Sequence, residues 1–503
     1  MLHPRLRVRA AGVLLHPTSL PGPWIGDLGS GAIAALRWMT AAGLRIWQVL
    51  PLGPVGDDGS PYNSPSAFAG NELLLSPEEL MSEGLLPDPA AGPRTDPVDY
   101  PAARAAKTAW LMEAWARFSA GMAPHLDAPF AAYRQREAAW LEDYTLFQVL
   151  RRAHGGRPWT AWDPALRQRR PAALDRVRRS EVDALGREAF GQFLFDRQWA
   201  ALRRRAHEAG LWILGDLPFY VAHDSANVWA WPELFALDER GQPLEVAGVP
   251  PDDFSATGQR WGHPLYRWDE VARRGFEWWI ARSRRLFDRV DAVRLDHFRG
   301  FVAAWAIPAA ALDARTGRWV PGPGEALFRA LARALGPRAW IAEDLGCITP
   351  DVEALRRRLG LPSMRVLQFA FDGDPANPHR PEHHPLEAVA YTGTHDNDML
   401  AGWWAHLDPA TRARVAASIE LDDDPLEALR RAAWGSAAAW ALMPMQDALG
   451  LGSEARLNTP GRPDGNWRWR LPDATLPSDA AQRLRALGRA TRRHPPRRLD
   501  PGS

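Results

Sequence analysis

The 503-residue sequence has little cysteine, little lysine and no long apolar run. Cys347 is its only cysteine, so the chain has no partner for an internal disulfide and no thiolate cluster for a metal. No stretch of about eighteen apolar residues occurs, and the arginines of residues 1–10 are not followed by the apolar segment of a signal peptide. These absences predict a reduced, soluble, cytoplasmic protein without a membrane partner. Cys347, just after a predicted strand, is expected to be packed in the structure.

The sequence also lacks an excess of charge of one sign. Its net charge is +1, with 24% charged and 46% hydrophobic residues, whereas a nucleic-acid-binding protein would show a strong basic excess. We therefore predict no nucleic-acid partner. The length suits roughly three average domains or one large α/β barrel with insertions. The 25 tryptophans are expected mainly in the core, although exposed ones would serve a protein that stacks flat rings.

Short apolar segments alternate with segments of helical periodicity along most of the chain. Helices are predicted at 32–42, 102–118, 129–152, 188–209, 270–287, 324–335 and 350–359. Eight strands are predicted at 12–15, 46–50, 211–217, 292–295, 339–342, 365–371, 388–392 and 438–445. The last is the least distinct, because 434–446 fits a helix equally well.

This alternation favours a (β/α)₈ TIM barrel over a doubly wound sheet. We predict one catalytic domain over residues 1–503, with a large, mainly helical insertion at about 71–185. Residues 447–503 are too few and too rich in arginine for a C-terminal β-sandwich.

Acidic side chains follow three of the predicted strands. Asp296, Glu343 and Asp396 stand at the ends of the fourth, fifth and seventh strands, which meet at one face of a barrel. Arg294 precedes Asp296 by two residues and so points to the same side of its strand. Alone, Arg294 and Asp296 fit a surface ion pair as well as a functional site. The convergence of three acids favours the functional interpretation.

Carboxylates held close together cannot all ionise freely, so the pKa of one of them rises. A pair with one ionised and one protonated member is the requirement for retaining glycoside chemistry. A site for Mg²⁺, Mn²⁺ or Ca²⁺ is the main alternative. The sequence has no His-x-x-x-His pair, calcium loop or phosphate-binding glycine loop, and His207-Glu208 lacks a second histidine. We therefore predict no metal.

Seven motifs occur in order along most of the chain: Ser60-Pro-Tyr-Asn, Gly215-Asp-Leu-Pro-Phe-Tyr, Pro250-Pro-Asp-Asp-Phe-Ser-Ala-Thr-Gly-Gln-Arg-Trp-Gly-His-Pro, Val293-Arg-Leu-Asp-His-Phe-Arg-Gly-Phe, Ala342-Glu-Asp-Leu-Gly, Gly393-Thr-His-Asp-Asn-Asp and Asn466-Trp467. With them the chain resembles the 4-α-glucanotransferases of the amylomaltase (disproportionating enzyme) type, glycoside hydrolase family 77, related to the α-amylase superfamily. The resemblance implies transfer of a segment of an α-1,4-glucan to the 4-hydroxyl of an acceptor, by double displacement and without a cofactor. Maltooligosaccharides, amylose and dextrins would be its partners.

The resemblance implies Asp296 as nucleophile, Glu343 as general acid/base and Asp396 as the carboxylate that holds sugar hydroxyls. It implies a lid within about residues 225–270. The implied substrate-binding residues are Ser60, Tyr62, Asp216, Asp252, Gln259, Trp261, Arg294, His297, His395 and Asn466.

Some of these residues also fit other structural roles. Tyr62 would stack on an acceptor sugar, but a tyrosine tucked under its own loop fits the sequence equally. Trp261 could be a core aromatic, and Asn466 could be a turn residue. Two other functions use the same residues: a retaining α-glucan hydrolase of the amylase class, and a non-catalytic glucan-binding protein on a decayed barrel. The presence of all three carboxylates speaks against the second.

Overall fold

The computed structural model describes residues 3–87, 92–93, 95–251, 255–462, 464–471 and 476–494. In these residues the strands are β1 (Ala10–Leu14), β2 (Ile46–Gln48), β3 (Trp212–Leu217), β4 (Glu245–Val249), β5 (Gln259–Pro264), β6 (Ala292–Leu295), β7 (Ala303–Pro308), β8 (Arg318–Pro321), β9 (Trp340–Ala342), β10 (Ser363–Val366), β11 (Ala388–Tyr391) and β12 (Trp440–Pro444).

Eight of these strands form one parallel sheet in the order β10-β11-β12-β1-β2-β3-β6-β9. Its two ends meet between β9 and β10, where the Ala342 amide donates to the Pro362 carbonyl at 3.0 Å. Beside this bond, the Met364 amide donates to Asp344 Oδ1 at 2.7 Å. The sheet is therefore a nearly closed (β/α)₈ barrel, as predicted.

The α-helices are α1 (Ser30–Ala41), α2 (Pro77–Ser82), α3 (Tyr100–Ser119), α4 (Asp127–Ala153), α5 (Pro164–Arg167), α6 (Pro171–Ser180), α7 (Val182–Glu208), α8 (Ala226–Ala230), α9 (Trp268–Arg273), α10 (Glu277–Phe287), α11 (Gly324–Leu335), α12 (Pro350–Leu359), α13 (Leu400–His406), α14 (Pro409–Ser418), α15 (Pro425–Gly435), α16 (Met445–Leu449) and α17 (Ser478–Ala490). Helices α2 to α7 fill the interval between β2 and β3. A separate subdomain at residues 71–185 stays a prediction.

All eight predicted strands contribute to the barrel, and one strand and one helix differ in detail from the prediction. The sixth ends at Val366, and its predicted second half is a 3₁₀ turn, Leu367–Phe369. The apolar pattern continues there because Leu367 is buried in the turn. The predicted helix 270–287 is two helices, since Gly275 and Phe276 have φ values of 65° and 61°, which interrupt α-helical geometry.

A second, antiparallel sheet with the order β5-β4-β7-β8 lies outside the barrel and was not predicted. Its strands are short, and β5, with the sequence Gln-Arg-Trp-Gly-His-Pro, contains glycine and proline, which are typical of loops. This sheet matters for the site because β5 carries Gln259 and Trp261.

Tryptophan is prominent in the core, as expected from the composition. Six tryptophans are among the largest fully buried side chains: Trp47, Trp199, Trp229, Trp279, Trp434 and Trp440. The expectation that Cys347 is packed is wrong, because it lies in the exposed turn after β9. Across the described part of the chain, no helix combines the length and the apolar character needed to cross a membrane.

Candidate active site

Arg294 is at the centre of the cluster that the strand ends form. Its Nη1 donates to Asp216 Oδ2 at 2.8 Å and to Asp296 Oδ1 at 2.9 Å. Its Nη2 lies 3.8 Å from Glu343 Oε2. The register of β3 and β6 places Asp216 directly opposite Arg294. With 6% of its side chain exposed, Arg294 is not part of a surface ion pair, so the cluster is internal to the barrel mouth.

The carboxylates differ in how far solvent reaches them. The exposed fraction of the side chain is 0% for Asp216, 12% for Glu343, 26% for Asp296 and 43% for Asp396. Asp296 and Asp396 are therefore open to a ligand in the barrel mouth. Asp216 is covered completely, so it contacts Arg294 and Tyr62 and has no direct access to a ligand.

Glu343, at the end of β9, is held by two backbone amides. The His297 amide donates to Oε2 at 2.7 Å, and the Leu345 amide donates to Oε1 at 2.9 Å. Burial nevertheless raises the pKa of Glu343 to about 8, with Asp296 adding to the rise, while Arg294 and the two amides oppose it. Glu343 is thus mainly protonated at neutral pH.

His297 has the left-handed backbone conformation, with φ 48° and ψ 53°. Such a conformation is costly for a residue other than glycine and is concentrated at functional sites. In His297 this conformation occurs together with the hydrogen bond from its backbone amide to Glu343. The imidazole stays neutral, because burial lowers the pKa of His297 to about 4. Its Nε2 is buried and has no hydrogen-bond partner in the described residues.

Asp216 is also shifted towards its protonated form. Burial raises the pKa of Asp216 to about 7, and Asp296 contributes to the rise while Arg294 opposes it. The Tyr62 hydroxyl donates to Asp216 Oδ2 at 2.9 Å. Asp216 therefore connects the aromatic ring of Tyr62 to the guanidinium of Arg294.

Asp396 lies in the loop that follows β11. Its Oδ1 accepts a hydrogen bond from Asn458 Nδ2 at 2.6 Å and lies 3.4 Å from His395 Nε2. Asn458 was not predicted as a site residue. No sequence pattern marks it, because it comes from a loop 62 residues further along the chain.

Three rings form an aromatic wall beside these acids. Tyr62 stacks on His395 with 5.3 Å between ring centroids and 15° between planes. Trp467 contacts both rings, at 5.9 Å from Tyr62 and 5.8 Å from His395. Trp467 has φ 64°, a second left-handed residue at the site. The Tyr62 ring therefore packs against residues of other loops and is not tucked under its own loop, while its stacking on a sugar stays a prediction.

Ser60 and Asn466 shape the loops that carry this wall. Ser60 Oγ accepts from the Tyr62 amide at 3.3 Å. The Asn466 side chain accepts from the Thr459 amide at 2.8 Å and donates to the Arg462 carbonyl at 2.9 Å. These contacts agree with Asn466 as a turn residue, because the hydrogen bonds of its side-chain amide are made within its own loop.

The second sheet contacts the cluster through Trp261 of β5. Trp261 is half-buried and meets His297 edge to face, with ring centroids 4.9 Å apart. Its Nε1 donates to Gln259 Oε1 at 3.1 Å. Asp252 and the neighbouring part of the predicted lid, residues 252–254, lie outside the described residues. Trp261 thus lies against His297 and Gln259 lies against Trp261, while their contact with a glucan stays a prediction.

The arrangement provides the parts needed for glycoside chemistry at an anomeric carbon. Asp296 is accessible and accepts a hydrogen bond from the guanidinium of Arg294. Glu343, which contacts the same arginine, is mainly protonated at neutral pH. Within the part of the chain that the structure describes, no group of three or more His, Cys, Asp or Glu has a metal-binding arrangement.

Comparison with known proteins points to one family. The family model for 4-alpha-glucanotransferase matches residues 15–476. A 4-alpha-glucanotransferase from Thermus thermophilus is 49% identical over 96% of this chain and 99% of its own length. One from Synechocystis sp. is 45% identical over 92% of this chain and 94% of its own length. The amylomaltase from Streptococcus agalactiae, solved in complex with acarbose, superposes with a TM-score of 0.93 at 33% identity, covering 97% of this chain and 100% of that one.

Proposed function

This chain belongs to the 4-alpha-glucanotransferase family, and we propose that Asp296, Glu343 and Asp396 carry out the family's reaction in it. The enzyme transfers a segment of an α-1,4-glucan to the 4-hydroxyl of an acceptor, with retention of configuration. The observation that carries the assignment is the sharing of Arg294 by Asp296 and Glu343, two carboxyl groups of unequal exposure.

In the first step Asp296 attacks the anomeric carbon of the donor, and the glycosidic C–O bond breaks. Glu343 gives its proton to the leaving oxygen, which departs as the 4-hydroxyl of the released chain. The product is a covalent β-glucosyl ester of Asp296. A charge-assisted hydrogen bond of 2.9 Å from Arg294 Nη1 orients Asp296 for this attack.

In the second step Glu343, now ionised, removes the proton from the acceptor's 4-hydroxyl. That oxygen attacks the anomeric carbon and releases Asp296, so two inversions give net retention. General acid/base catalysis of this kind is worth about 10²–10⁴-fold in rate. We propose that Asp396, which accepts a hydrogen bond from Asn458, binds the sugar hydroxyls next to the reacting carbon.

Transfer in place of hydrolysis requires that an acceptor sugar displace water. Within the aromatic wall, His395 and Trp467 are buried and Tyr62 is half-buried, so Tyr62 is the ring that we propose to stack on such a sugar. Exclusion of water by the bound acceptor protects the ester intermediate. After β12, the described residues contain α16 and α17 and no strand, so the β-sandwich expected of an amylase-class hydrolase has no counterpart there.

The substrates follow from the same comparison. Acarbose occupies the Streptococcus agalactiae amylomaltase, and we propose α-1,4-glucans as the partners of this chain. The cytoplasm is the location we propose, because the chain has one cysteine and no need of disulfides.

Incubation with maltotriose tests the proposal. Glucose together with a ladder of longer glucans is the expected result, whereas shorter products without longer ones would identify a hydrolase. Asp296→Asn is expected to lower transfer at least about 10³-fold. The matched variant Asp175→Asn changes an exposed acid on α6 and is expected to keep full activity. Unchanged activity of Asp296→Asn would refute the assignment of the nucleophile.

A further inference from the structure

A cavity of about 50 Å³ adjoins the carboxylate cluster, and Asp216 and Tyr62 are among the residues that line it. Its walls come from residues 51–69, from the end of β3 and the segment after it (residues 216–221), and from helix α10 and the residues that follow it. A cavity needs only about 10–15 Å³ of such space to hold one water molecule. The volume therefore accommodates a small ion together with water.

Three buried arginines face this cavity. Arg282, Arg285 and Arg289 follow one another at helical spacing, and 3%, 7% and 7% of their surfaces are exposed. Arg285 and Arg289 share Asp196, at 2.5 Å and 3.0 Å, and Arg285 also lies 3.4 Å from Glu137. Two of the three guanidiniums thus have carboxylate partners.

Arg282 has no carboxylate within ion-pair distance in the described residues. Its Nη1 has one weak bond, 3.5 Å to the Phe219 carbonyl, and the uncharged hydroxyl of Tyr266 is a further hydrogen-bond partner. The guanidinium lies against the rings of Trp278 and Trp279, at 5.4 Å and 5.2 Å from their centroids. Burial lowers the pKa of Arg282. An isolated buried charge is costly unless a partner compensates it.

Several hydrogen-bond donors around the cavity also have no acceptor. Arg282 Nε, Arg289 Nε and the Tyr220 hydroxyl are buried and have no partner in the described residues. All three residues line the cavity. Arginine is a donor only, so these groups require an acceptor, and the unmatched charge of Arg282 favours an acceptor with negative charge.

We propose that this cavity binds a small monovalent inorganic anion, such as chloride, with Arg282 as its principal ligand. Asp216 faces the same space, but its carboxyl group is bound by Arg294 and Tyr62 and leaves Arg282 uncompensated. Asp196 and Glu137 are bound to the other two arginines. Water alone would satisfy donors without balancing the charge.

Bromide serves as the probe, because it resembles chloride and scatters anomalously. Crystals of the wild-type enzyme soaked in sodium bromide are expected to show an anomalous peak in the cavity, in contact with Arg282. In solution, bromide or chloride added to a gluconate buffer at constant ionic strength is expected to raise the Tm saturably. Gluconate is too large for the cavity and controls for ionic strength.

The variant Arg282→Gln is expected to lose the halide-dependent rise in Tm. The matched variant Arg284→Gln, an exposed position on the same helix, is expected to keep it. The proposal is overturned if the soaked cavity shows water only, or if Arg282→Gln responds to halide like the wild type. A bromide peak without a saturable response in solution would mean binding at crystal concentration only, and would overturn it too. If Arg282→Gln does not fold, the bromide anomalous map and the halide titration of the wild-type Tm decide whether the cavity binds an anion.

Discussion

The pH dependence of the first chemical step follows from the environment of Glu343. Burial raises the pKa of Glu343 from 4.5 to about 8. A proton donor is active when protonated, so activity is present below this pKa and falls as the pH rises through it. We expect kcat/KM to be level up to about pH 8 and to fall about tenfold for each further pH unit. With an ordinary pKa of 4.5, it would already have fallen about 300-fold at pH 7.

The assay is the initial rate of glucose release from maltotriose well below KM, measured from pH 5 to 10. A maltosyl fluoride donor is the matched control, because fluoride leaves without protonation and the first step then needs no acid. The alkaline fall is expected with maltotriose and absent with the fluoride. An equal fall with both donors, or a fall centred near pH 4.5, would refute the role of Glu343.

Two further predictions test groups around the site carboxylates, and a third tests Glu72, an acid beside Gln192. Tyr62→Phe keeps the ring but removes the bond to Asp216, and we expect the free energy of unfolding to fall by about 1.5–3 kcal/mol, measured by urea titration; an unchanged value would show that the bond contributes nothing. Asn458→Ala removes the donor to Asp396 and is expected to lower kcat/KM for maltotriose about 10–100-fold; an effect on stability alone would argue against orientation of Asp396. Burial raises the pKa of Glu72 to about 8, so its contribution to stability is present below its unfolded pKa of 4.5 and is lost as the pH rises through 8. The Tm of Glu72→Gln is expected to fall less than that of the wild type between pH 6 and 9, and equal falls would contradict this.

The barrel and its acidic strand ends could be predicted because both depend on local patterns. A buried strand is a short apolar run, and Asp296 and Glu343 each follow one directly. The support of Asp296 by Arg294 was predicted for the same reason, since two residues in one strand share a face. That Arg294 also binds Asp216 depends on the register of β3 with β6, which no local pattern specifies.

Contacts between distant loops account for what the sequence did not reveal. Asn458 reaches Asp396, and Trp467 reaches Tyr62, only because the fold brings their loops together. The antiparallel sheet was missed because its strands are short and β5 resembles a loop. That Arg282 has no carboxylate partner among the described residues could not be recognised either. It depends on the positions of Glu137 on α4 and Asp196 on α7, which pair with Arg285 of α10.

The position of β1 in the barrel has a consequence for the synthesis of the chain. Ala10 of β1 pairs with Trp440 of β12, so one edge of the first strand stays open until roughly 430 further residues have been made. At about 5–20 residues per second, this takes roughly 20–90 s on the ribosome. Asn458 and Trp467 leave the ribosome later still. The site is therefore complete only after nearly the whole chain has been made. Throughout that time the open edge of the first strand has to be kept from pairing with other chains.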